Sequence, residues 1–114
     1  MSAVDDLLRS GSDTDRAALL VVLRVAERLA PEAVHGVSHG VPALLVDGRP
    51  LLGLAARRDG LSLYPFSPAA LDSVRTDLAG WSVSKGTVRF TPDHPLPAEV
   101  LERLTATRLA EIRG

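Results

Sequence analysis

Between Ser12 and Ala30 the apolar residues recur every third or fourth position, the spacing of one helical face. Ser12 is suited to cap that helix, with Asp15 three residues on as an acidic variant of the capping box, and Pro31 ends it. At 100° per residue, Ala18, Leu19, Val21, Val22, Val25, Ala26 and Leu29 form one broad apolar face. Asp13, Arg16, Arg24 and Glu27 share the opposite side. Such a helix is expected to lie flat across a sheet. Gly11 separates it from residues 1–11, read as a flexible leader.

The pattern then changes from helical to extended. The stretch "PALLVDGRPLLGLAAR" reads as two strands joined at Asp47-Gly48, a dipeptide favoured in tight hairpins. "RDGLSLYPF" repeats the device at Asp59-Gly60, with Leu61 and Leu63 alternating with Ser62 and Tyr64. Ser67-Pro68 starts a short helix that ends by Gly80. Trp81–Ser84 and Thr87–Phe90 are the last strands, and Pro97 opens a helix reaching Ile112. Hairpin-sized connections and few crossover helices predict an α+β domain: an antiparallel β-sheet packed by N- and C-terminal helices.

Composition narrows the classes of function. A chain of 114 residues with 46% apolar content supplies one core, so residues 1–114 are read as a single domain. Thirteen basic and fourteen acidic residues give a net charge of −1, without the basic excess of a nucleic-acid binder. There are no cysteines, which excludes disulfides, thiolate chemistry and cysteine-ligated metals. The longest apolar run, Ala17–Leu23, is too short to span a membrane, and the acidic start lacks a secretory h-region. A cytoplasmic location is the expectation.

Candidate chemistry is sparse. Val100, Leu101, Leu104, Leu109 and Ile112 span an apolar arc of the last helix, and Arg108 projects from its middle. An arginine there must snorkel, pair with a carboxylate, or line a polar pocket. Lys85 beside Gly86 is either a solvated turn residue or a cation aimed into a pocket. Convergence of Lys85, Arg108 and Tyr64 between the sheet and the last helix would suit a small anionic ligand. His35 and His39 have the i, i+4 spacing of a helical metal pair, but the flanking glycines and Pro42 oppose a helix there. No phosphate loop, nucleophile elbow or metalloprotease motif is present, so the sequence offers no support for an enzyme.

The order of motifs is more informative than any one of them. "PEAVHGVSHGVPALLVDGRPLLGLAARRDGLSLYPFSP", then "SKGTVRFTPDHPLP", then "RLAEI" resembles the bacterial YdhG-like family of small domains over residues 31–112. Pro42, Tyr64, Lys85, Gly86, Arg89, Phe90 and Arg108 fall on positions characteristic of that family. Arg89 thereby joins Tyr64, Lys85 and Arg108 in the candidate ligand pocket. The chain departs from the pattern at His39, where an aromatic is usual, and at His35, where an acid is common.

The resemblance implies helices on an antiparallel sheet, as in frataxin, and a non-enzymatic protein. Some members are described as intracellular iron chaperones, which implies weakly bound Fe(II) and an iron-acceptor protein as partner. Loosely held ferrous iron favours oxygen ligands. The acids available near the N-terminus are Asp5, Asp6, Asp13 and Asp15, with His35 or His39 as further contacts. A ridge of carboxylates is weak here, because Arg16 and Arg24 interrupt the first long helix. The alternative is a module that binds a small anion or a partner protein.

Overall fold

A computed structural model describes residues 2–114. The elements in order are α1 (Ala3–Ser10), α2 (Asp13–Leu29), β1 (Val34–Ser38), β2 (Val41–Val46), β3 (Arg49–Arg57), β4 (Gly60–Tyr64), α3 (Pro68–Val74), β5 (Ser82–Val83), β6 (Val88–Phe90) and α4 (Ala98–Arg113). A short 3-10 turn at Thr76–Leu78 links α3 to β5. All strand pairs are antiparallel, in the order β1-β2-β3-β4-β6-β5. The α+β architecture expected from the hydrophobic pattern is the one observed. Among the described residues no helix is long and apolar enough to cross a membrane.

Local chemistry explains most boundaries. Ser12 accepts from the Asp15 N–H and caps α2, and Ser67 does the same for α3 from Ala70. Asp47 and Gly48 both have positive φ, 51° and 76°, as the two central residues of a type I′ hairpin turn require. His39 and Gly40 repeat that geometry at 52° and 79°, closing a β1–β2 hairpin that the sequence pattern did not resolve.

The strands carry two kinds of face. Leu44, Leu52, Leu54, Leu61, Leu63, Val88 and Phe90 point to the helices and build the core with Leu19, Val22, Leu71, Leu101 and Leu104. The other face has a floor of small residues: Gly36, Ala43, Gly53, Ala55 and Ser62. No helix covers it.

Two features differ from the sequence expectations. The leader contains α1, whose Ser2–Asp5 capping box is complete and whose Val4 is buried. Helix α2 packs along α1 and α4, so its buried face is turned toward Leu23 and leaves Val21 47% exposed.

Hydrogen bonds from the Ser2 hydroxyl, and then from its backbone N–H, lower the Asp5 pKa below 3.8. A hydrogen bond from Arg113 lowers Glu32 below 4.5 in the same way. Both shifts are downward, so each contact stabilises the fold above those ordinary values and loses its contribution as pH falls through the depressed ones. Urea midpoints measured from pH 6 down to about 2 should fall less steeply in Glu32→Gln than in the parent, with the curves meeting at the acid end.

Candidate functional site

Three connections that are distant in sequence meet at one end of the sheet: the β1–β2 turn, the segment from β4 into α3, and the β5–β6 turn. They enclose a cavity of about 280 Å³ lined by His39, Tyr64, Pro65, Phe66, Ser67, Pro68, Lys85 and Gly86. Its walls are rings and prolines, and Lys85 is its one side-chain cation.

The backbone is bent to make this wall. Phe66 has φ 56°, a region that bulky residues rarely adopt and that costs about 1–3 kcal/mol. Its ring lies over Gly53, where an added Cβ would stand 3.1 Å from Phe66 Cε2 and 3.0 Å from Val41 Cγ2. Glycine at 53 therefore allows the ring to rest on the sheet. The His39 ring stands 5.5 Å from that of Phe66, and its Nδ1 lies 2.9 Å from the Ser38 hydroxyl. Gly53→Val should force Phe66 off the sheet and lower stability by about 1–3 kcal/mol. Urea denaturation gives that cost, and a moved ring would also shift the His39 side-chain NMR signals.

Tyr64 links this cavity to the small-residue floor. Cross-strand pairing sets Gly53 opposite Tyr64, Ala55 opposite Ser62 and Arg57 opposite Gly60. Tyr64 and Arg57 therefore share a face, two residues either side of the Ala55–Ser62 pair. Arg57 Nη2 donates to the Tyr64 hydroxyl at 3.5 Å, arching over that pair, and this contact raises the Arg57 pKa. Ser62 is fully buried below, and its hydroxyl has no hydrogen-bond partner among the described residues.

Arg108 and Arg89 lie elsewhere. Arg108 is on α4, on the helical side of the sheet, with a side chain only 10% exposed. Its Nε donates to the Pro50 carbonyl at 2.9 Å and its Nη1 to Glu111 at 3.3 Å. Pro50 sits where the β2–β3 register shifts, so the arginine satisfies a carbonyl beside a bulge. The expected pocket between sheet and last helix is thus replaced by the cavity at the sheet's end, with Tyr64 and Lys85 but without Arg108. Arg89, on the open face, pairs with Asp59 at 2.6 Å and lines a second cavity with Trp81 and His94.

The residues considered for iron are not gathered at one point, although Asp5 and His35 adjoin. Asp6 pairs with Arg9 and Asp13 with Arg16, while Asp5 serves the α1 cap. His35 faces Asp5 through Nδ1 at 3.8 Å and Glu27 through Nε2 at 3.7 Å, so its two carboxylate neighbours lie on different ring atoms. His39 is in the aromatic wall of the cavity. Among the described residues no three His, Asp or Glu side chains are placed to hold one metal ion. The ferrous-iron reading rests on the resemblance alone.

Sequence reasoning missed Phe66 as a lining residue and Arg57 as the neighbour of Tyr64 outside the cavity. The lone Gly53 inside a strand was an available signal for close approach. Arg57 was concealed in "AARRDG", which reads as an ordinary hairpin end.

No family model and no curated protein matches this sequence. Among solved structures, a DUF1801 family protein, YdhG from Bacillus subtilis, superposes with a TM-score of 0.81. It shares 17% identity, and the match covers 96% of this chain and 90% of that one. The chain is therefore YdhG-like in fold, the α+β architecture of a DUF1801 protein.

Proposed function

We propose that this protein is a binding module for a small ligand with a flat apolar body and an anionic group, held in the cavity of His39, Tyr64, Phe66 and Lys85. One observation carries the reading: a ring-lined cavity with a single side-chain cation, formed where three separate connections meet. Apolar walls with few placed polar groups are the common character of small-molecule sites. The strained Phe66 backbone adds support, since such strain concentrates at ligand clamps. In this reading His39 and Phe66 stack against the ligand body and Lys85 takes the charge. Lys85 has no ion-pair partner among the described residues, so it is free to do so.

Benzoate is a suitable first probe. With few heavy atoms it should bind with a Kd of about 1 mM, and Lys85→Met should weaken it about tenfold by removing one charge-assisted contact. An amide-shift titration of both proteins measures this. Equal affinity in the two would remove Lys85 from the site.

A further inference from the structure

This inference rests on the cavity reading and concerns the ligand's second end. Among the described residues Arg57, like Arg24, Arg49 and Arg58, has no carboxylate within ion-pair distance, but it alone of these four reaches a side chain that lines the cavity. Its guanidinium is spent on one long hydrogen bond to the Tyr64 hydroxyl. Beneath that contact the Ser62 hydroxyl is buried and unpaired, an arrangement that costs stability unless something uses it. The Arg57 fork and the Tyr64 hydroxyl thus sit together above the buried Ser62 hydroxyl, and the neighbouring carboxylate, Asp59, pairs with Arg89 and reaches Arg57 only through its field. Arginine's planar fork matches carboxylate and phosphate oxygens.

From this juxtaposition we infer that the ligand carries two anionic groups, one at Lys85 and the other at Arg57, with Tyr64 lying between them. Binding replaces the Arg57–Tyr64 hydrogen bond with bonds from Arg57, Tyr64 and Ser62 to the second anion. No covalent step is involved. Arg89 neighbours Ser62 on the same face, but Asp59 neutralises it.

Benzoate and terephthalate, which share a ring and differ by one carboxylate, test the idea. The wild type is expected to bind terephthalate about tenfold more tightly than benzoate, the effect of one added charge-assisted contact. Arg57→Met should abolish that preference while leaving the benzoate Kd unchanged; Lys85→Met should weaken both probes. Arg57 is exposed, so the variant should fold, and its amide spectrum verifies this. If benzoate binds but terephthalate gains nothing, or if Arg57→Met preserves the preference, the two-anion inference is overturned and the cavity reading stands. If neither probe binds the wild type, both are overturned.

Discussion

Truncating Leu63 to alanine is expected to lower the unfolding free energy by about 3–5 kcal/mol, through lost burial and the cavity left behind. Leu63 is fully buried in β4, paired with Leu54 on one side and Val88 on the other. It therefore lies in the middle of the layer between sheet and helices. Its neighbours are held by strand pairing on both sides and have little freedom to collapse into the space. Domains of this size have about 5–15 kcal/mol in total, so the loss is a large fraction of the stability. Urea denaturation measures the effect. Val21→Ala is the matching control, because the 47% exposure of Val21 predicts a change within about 0.5 kcal/mol.

Replacing Arg108 by methionine should cost about 1–3 kcal/mol, since it leaves the half-buried Pro50 carbonyl without its donor. The methionine retains most of the apolar stem, which limits the loss to the polar contact. The charge bonded to Glu111 also disappears, but that carboxylate is 37% exposed and water can solvate it. Benzoate affinity should be unchanged, because Arg108 is across the sheet from the cavity. Loss of stability with intact binding identifies Arg108 as an anchor between α4 and the β2–β3 bulge. Intact stability with lost binding would return it to the ligand site.

Much of the architecture was legible because it is set locally. Ser12, Ser67, Asp47-Gly48 and Asp59-Gly60 each act within a few residues, and each marks a boundary near where the pattern placed it. β1 was harder to read: "VHGVS" is short, contains a glycine, and forms an edge with exposed Val34 and Val37. The wheel for α2 found an apolar face but misjudged its direction, since α1 and α4 determine which residues are buried. The same limit applies to Arg108. Its place in an apolar arc was correct, but periodicity cannot say which carbonyl lies opposite.

The candidate site was only half visible, for a related reason. Tyr64 and Lys85 were singled out individually, and the sheet brings them to one cavity through the β4–β6 pairing. His39 was weighed as a metal ligand, and its position in a type I′ turn turns it toward Phe66 instead. The contribution of Phe66 depends on Gly53, thirteen residues away and opposite Tyr64. Such a relation exists only once the strands are in register.

The cavity at the end of the sheet is where a small ligand should bind. The most direct test is a two-dimensional amide NMR titration of the wild-type protein with benzoate. Saturable shifts should be confined to residues 38–40, 64–68 and 84–87, with the amides of α4 unmoved. Shifts centred on α1 and α2, or none at millimolar benzoate, would contradict binding there.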